Sequence, residues 1–299
     1  MTDNQALKLV EMFLKISDLY DEELRYHCQR FSNNNEPDFT DAELITIYLF
    51  CMIHEERFKI KHIYDFANNY MRSWFPDLPS YVAFNTRLNR LPSALQHLCS
   101  LLLPKELPKD ARDDFSLLDS MPIITCSGKR KGKVAAQITD KGFCSTKSLY
   151  YYGLKLHMLG FWRKDHLPFP ESFVITTASE NDLNIFKEYW SNIYNRTFWG
   201  DKIYIDEPFF QQLKQEKNSI MLTPVKKIKG EPEFLRKMHK AADDLFSKAI
   251  SKIRQPIEAL FGWIIEKTDI QRASKVRSEK GLLVHVFGRI AAAFLAYKI

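Results

Sequence analysis

The chain has 299 residues, 45% hydrophobic and 27% charged, with a formal net charge of +6, the make-up of a globular protein with room for one large core and a smaller one. The apolar run "LITIYLFCMI" is too short to span a bilayer and "LLVHVFGRIAAAFLAYKI" is interrupted by His285 and Arg289, so no membrane partner is expected. No secretory pattern opens the chain, and the five cysteines (Cys28, Cys51, Cys99, Cys126, Cys144) are scattered without a C-x-x-C pair; reduced thiols in the cytoplasm fit better than disulfides or a zinc site.

Residues 1–103 read as a small all-helical N-terminal domain. In "DAELITIYLFCMI" the apolar residues recur at helical spacing, and Thr40 or Asp41 can cap the start. Pro79 and Ser80 punctuate the chain before "YVAFNTRLNRL", which sets Arg87 and Arg90 beside an apolar face. A helix-turn-helix that binds DNA ends is one reading; an ordinary amphipathic helix is the other. Residues 104–114, Pro-rich and charged without apolar periodicity, read as a linker.

Beyond the linker, residues 115–299 turn to strands and then to α/β alternation. "FSLLDSMPII" is a short apolar strand, and "LYYYGLKLHML" alternates, with Leu154, Leu156 and Met158 on one face and Lys155 and His157 on the other. "SFVITTAS" makes a third strand, "DLNIFKEYWSNIY" a helix, "RTFWGDKIYID" a fourth strand, "EPFFQQLKQEK" a helix and "SIMLTPV" a fifth strand. A long helical stripe of Ile250, Ile253, Ile257, Leu260, Phe261 and Ile264 follows. The expected class is α/β, a mixed sheet flanked by helices.

Three carboxylates sit against apolar sequence instead of in loops: Asp119, Asp201 beside Gly200, and Glu258 at the edge of the long stripe with Arg254 one turn before it. An ionised carboxylate among apolar residues is costly without a partner or a metal. If the three converged, a hard divalent cation would relieve their repulsion; spacing alone equally allows strand-end residues and a surface ion pair. Charge is uneven as well: residues 1–110 carry 12 Lys+Arg against 16 Asp+Glu, a net of −4, which leaves +10 for the rest of a chain whose total is +6. That charge concentrates in "SGKRKGK" (Lys129, Arg130, Lys131, Lys133), "KKIKG" (Lys226, Lys227) and "RASKVRSEK" (Arg272, Lys275, Arg277). Such clusters suit a nucleic-acid polyanion, or are solvated loops. No P-loop order of residues is present.

The blocks "LLDSMPIITC", "YYYGLKLHML", "ITTASENDL", "FWGDKIYIDE", "RQPIEALFGWI" and "RASKVRSEKGLLVHVFGRIAAAFLAY" occur in an order that resembles bacterial insertion-sequence transposases of the DDE superfamily, nearest to the insertion-sequence nine-eighty-two group. That resemblance implies a ribonuclease H-like catalytic domain over 115–299 that uses Mg²⁺, two ions, with Mn²⁺ as a substitute, to cut and join double-stranded DNA. The DNA comprises the terminal inverted repeats and the target, held by a homodimer that works on the bacterial nucleoid. The catalytic and metal-binding acids it implies are Asp119, Asp201 and Glu258. Lys155 and His157 match a "G-x-K-x-H" strand, with Asn181 and Asp182 near the site rim, and Arg254 matches the Arg four residues before the Glu. Related transposases often carry a Tyr and a Lys where this chain has Ser251 and Ile265, so those auxiliary DNA contacts do not carry over. An inactive DNA-binding remnant and a nuclease that cuts without joining are the alternatives.

Overall fold

Thr2 and Thr40 start the first two long helices, each accepting from the backbone N–H three residues on while the Gln5 or Glu43 side chain returns to the cap's own N–H. In the computed structural model, which describes residues 1–28, 37–103, 106–129, 132–145, 147–226 and 233–298, these are α1 (Asp3–Glu22) and α2 (Asp41–Glu55). They precede α3 (Ile60–Tyr70), α4 (Tyr81–Leu88) and α5 (Pro92–Leu102). Leu44, Ile45, Ile47, Leu49, Phe50 and Cys51 of α2 are all fully buried, so this helix is apolar all round and central. Arg87 of α4 turns inward: it pairs with buried Asp41 at 2.6 Å and donates to the Phe39 carbonyl. Its guanidinium thus ties α4 to the start of α2 and is spent on structure.

The last helix, α9 (Glu279–Lys298), packs on α2 and α5. Cys99 Sγ reaches the Phe287 carbonyl at 3.1 Å and Tyr48 Oη that of Val284 at 3.4 Å. Contacts therefore group Met1–Leu103, Lys133–Gln137 and Ile264–Ile299 as one helical unit, and Pro104–Gly132 with Ile138–Trp263 as a second. The catalytic stretch that the resemblance implies, 115–299, includes α9, which contacts group with the N-terminal helices. Glu279–Tyr297 is, among the described residues, the one helix long and apolar enough to cross a membrane; it is mostly buried inside this unit. Its two polar residues are bonded there. His285 Nε2 donates to the Ile270 carbonyl at 2.8 Å, and Nδ1 accepts from Arg289 Nε at 3.0 Å. Arg289 also donates to the carbonyls of Thr268 and Phe58. None of the five cysteines is in a disulfide among the described residues.

The second unit is built on a six-stranded sheet. Its strands are β1 (Ala111–Ser127), β2 (Asp140–Cys144), β3 (Leu149–Arg163), β4 (Phe169–Thr177), β5 (Thr197–Trp199) and β6 (Ile220–Leu222). Ala111–Asp114, read as linker, already belong to β1, and β2 had no apolar signal to announce it. β1, β2 and β4 each pair antiparallel with β3, while on the far side of β1 β5 pairs with it in parallel and β6 pairs in parallel with β5. The result is a mixed sheet in an α/β unit. Alternation splits the β1 side chains between two covered faces. On one, Leu118 and Leu159 pack with Ile185, Phe186, Trp190, Phe198, Tyr204 and Leu213, contributed in part by α6 (Asp182–Ile185), the π turn Phe186–Trp190 and α7 (Glu207–Lys217). On the other lies α8 (Glu233–Thr268), which runs unbroken through Pro256 and brings Ile257 Cδ1 within 3.7 Å of where a Cβ on Gly160 would stand.

Candidate active site

Asp119 lies in mid-β1, paired across the ladder with Met158 of β3, and so on the face that α8 covers. From that helix Arg254 reaches it: Nη1 donates to Asp119 Oδ2 at 2.7 Å, and Nη2 donates to Glu258 Oε1 at 2.5 Å. The i,i+4 spacing puts Arg254 and Glu258 on one helix face, so a single guanidinium joins two of the three flagged acids. Asp119 Oδ1 accepts from the Ser120 N–H at 2.8 Å. Burial pushes the Asp119 carboxyl up to about 6, against the opposing pull of Arg254 and the Ser120 amide. For Arg254 the balance is reversed. Burial alone would weaken its hold on the proton, and the charges of Asp119, Glu258 and Asp201 outweigh it.

Asp201 falls just past β5, not within a strand; of the strand expected over "RTFWGDKIYID", only Thr197–Trp199 is extended in the sheet. It sits in a turn whose backbone carbonyl accepts from Tyr204 N–H at 3.0 Å, while its Oδ1 accepts from Lys202 N–H at 2.7 Å. The close approach that Gly200 permits is that of the Tyr204 ring: a Cβ there would lie 2.7 Å from Tyr204 Cδ2. Asp201 does not hydrogen-bond to the other two acids; its charge acts on the same Arg254. Tyr204 itself is a site residue that sequence reasoning passed over. It is 2% exposed, and its hydroxyl has no hydrogen-bond partner among the described residues. Burial, then the charges of Asp182, Asp119 and Asp201, hold its pKa well above the usual tyrosine value. A Tyr in an apolar run carries no signal of such a setting.

Lys155 and His157 occupy the opposite face from Asp119. His157 is fully buried, with Nε2 2.9 Å from Thr176 Oγ1 and Nδ1 3.0 Å from Asp182 Oδ1. Lys155 Nζ donates to the Glu180 carbonyl at 2.6 Å and lies 3.5 Å from Asp182. Burial would raise the Asp182 pKa, but His157 and Lys155 outweigh it and hold the carboxyl below its usual value. Asn181 caps α6 through the Leu183 N–H. These residues therefore brace one another behind the site. Lys129, Lys133, Lys226, Arg272, Lys275 and Arg277 are exposed; Arg272 pairs with Asp269, and Arg277 donates to the Ser274 and Val276 carbonyls. Arg130, Lys131 and Lys227 lie outside the described residues.

The donors suit a hard divalent cation in kind, being carboxylate oxygens from a strand, a turn and a helix. Among the described residues no three His, Cys, Asp or Glu side chains stand together as a ready-made metal site. Asp119 and Glu258 are instead each ion-paired to Arg254, a cation shared between them.

No curated protein and no solved structure matched the chain. A family model described as a transposase DDE domain matches residues 109–278, a stretch that contains β1, both flagged aspartates and Glu258, and the chain belongs to the DDE transposases.

Proposed function

We propose that this transposase cuts DNA at the ends of an insertion sequence and joins the freed strand to target DNA, with Asp119, Asp201 and Glu258 as its catalytic acids. The observation that carries the reading is the convergence of Asp119 and Glu258 on one cationic group, Arg254, 135 residues from Asp119 along the chain. Acids gathered around a shared positive charge are suited to hold Mg²⁺, in two copies, or Mn²⁺ in its place; bound there, the metal would supply Lewis acidity toward a phosphate and a more acidic water. The chain's own groups do the positioning. The Ser120 and Lys202 amides orient Asp119 and Asp201, and Arg254 ties Asp119 to Glu258. Cleavage consumes water and frees a 3′-hydroxyl, which then displaces a strand of the target in a transesterification, so no nucleotide triphosphate is consumed.

Double-stranded DNA is the partner in this reading, both terminal inverted repeats and target, with a homodimer engaging two ends. Lys129, Lys133, Lys226, Arg272, Lys275 and Arg277 are exposed cations suited to phosphates. The order of the sequence blocks favours the insertion-sequence nine-eighty-two group, and a mixed sheet with three antiparallel and two parallel strand pairs fits the ribonuclease H-like fold that the family implies. The deciding experiment is Asp119→Asn with labelled element ends and a target plasmid. Strand cleavage and joining should both disappear while end binding persists; normal cleavage by that variant would remove Asp119 from the mechanism. End binding should also weaken steeply with added salt as counterions are released.

A further inference from the structure

Arg254 stands where two carboxylates would otherwise face each other. Its side chain is 12% exposed, against 24% for Asp119 and 55% for Glu258. It is the buried member of the trio, rooted in α8, and Glu258 is the one with room to move. Two carboxylates that share one guanidinium repel each other once that cation is gone. The guanidinium removes that conflict. It does so incompletely for itself, because Arg254 Nε is buried with no hydrogen-bond partner among the described residues. Of the guanidinium's donors, the bridging pose uses Nη1 and Nη2 and leaves Nε unanswered.

We propose that Arg254 is an internal counter-cation that competes with divalent metal for Asp119 and Glu258, so that metal enters only as the guanidinium leaves. This rests on the assignment of those two acids as metal ligands under the proposed function. Two consequences follow from competition. First, the bridge lowers the apparent metal affinity of the DNA-free protein by the fraction of molecules that carry it. Second, a phosphate offers the released guanidinium a bidentate acceptor, so DNA and metal strengthen each other's binding, and by linkage the factor is the same in both directions. The transposase would then hold its metal weakly until a DNA end is present, with Arg254 as the positioning residue that couples the two.

The test is Mn²⁺ binding followed by the electron paramagnetic resonance of free Mn²⁺, with wild type, Arg254→Gln, Arg254→Lys and Asp119→Asn, each with and without element-end duplex. Without DNA, Arg254→Gln should bind Mn²⁺ roughly tenfold more tightly than wild type, within the usual range of coupling between sites. Duplex should tighten Mn²⁺ binding by wild type and leave Arg254→Gln almost unchanged. Arg254→Lys keeps the charge but has no fork to bridge both acids, so it should fall between the two, and it answers the question if the glutamine variant does not fold. Equal Mn²⁺ affinity in wild type and the folded Arg254 variants would overturn the exchange. Asp119→Asn separates the two levels of the argument: Mn²⁺ binding like that of wild type would overturn the metal assignment itself. Loss of binding there, with no gain on removing Arg254, would overturn the exchange alone.

Discussion

Tyr204 carries a hydroxyl that nothing among the described residues bonds, in a place where Asp119, Asp182, Asp201 and Arg254 all act on it. A buried polar group left unpaired costs about 1–3 kcal/mol, and removing the group also removes the cost. Tyr204→Phe is therefore expected to leave the stability of the sheet unit unchanged or to raise it by about 1 kcal/mol, measured by urea unfolding. A clear loss of stability would mean that the hydroxyl is bonded in the folded protein. At this scale the sequence is uneven in what it discloses. A charge inside an apolar run, such as Asp119, stands out because burial penalises it, and the i,i+4 pair Arg254–Glu258 is legible because helical geometry fixes which side chains meet. The link from Arg254 to Asp119 is not legible, since it depends on how α8 lies across the sheet, and neither is Tyr204, whose apolar ring is at home in any core.

The elements that periodicity marks strongly are those the fold uses as expected: the centre of β1, the alternating β3, the apolar stripe of α8. β2 is not legible in the sequence because "DKGFC" has no apolar run; its strand form comes from the ladder that β3 offers it. β5 is shorter than the "RTFWGDKIYID" run suggests, for the chain leaves the sheet at Gly200 and so tolerates the charge of Asp201. Gly153, in the "G-x-K-x-H" strand, has its reason in pairing. A Cβ there would lie 1.9 Å from the Ile123 carbonyl oxygen, next to the register shift between Ile124 and Cys126. Backbone cannot yield as a flexible side chain can, so Gly153→Ala should force β1 and β3 apart and cost about 3 kcal/mol or more. The check is chemical denaturation together with the yield of folded protein. A neutral Gly153→Ala would show that the two strands can separate there freely, and with it that Asp119, four residues before Ile123, is not held by a rigid ladder.

Across the whole molecule the two units answer acid in opposite senses. In the helical unit His285 is locked in its neutral form, donating from Nε2 to Ile270 and accepting at Nδ1 from Arg289; burial, and then the charge of Arg289, push its pKa down to about 3. The other groups around that pair are Tyr48 and Asp269, which act on Arg289. An unfolded histidine takes up its proton near pH 6.5 and the folded one does not, so stability present above that value is lost as the pH falls toward 3. In the sheet unit burial raises the pKa of Asp119 to about 6, and that of Glu171 despite its bonds to Arg196 and Ser116. A raised carboxyl works the other way: stability is full below the unfolded value and is lost as the pH rises through the folded one, so acid favours this unit. Asp182, held below its usual value, matters only at still lower pH. At about 1.4 kcal/mol per pH unit of unmatched titration, lowering the pH from 7 to 5 should cost the helical unit up to about 2 kcal/mol and stabilise the sheet unit by on the order of 1 kcal/mol. Amide hydrogen exchange at the two pH values, corrected for intrinsic rates, resolves the units separately. Protection should fall in α5 and α9 and hold or rise in β1 and β3, and His285→Gln, which cannot titrate, should abolish the fall. A parallel loss in both units would mean that the neutral His285 pair is not what sets the acid response.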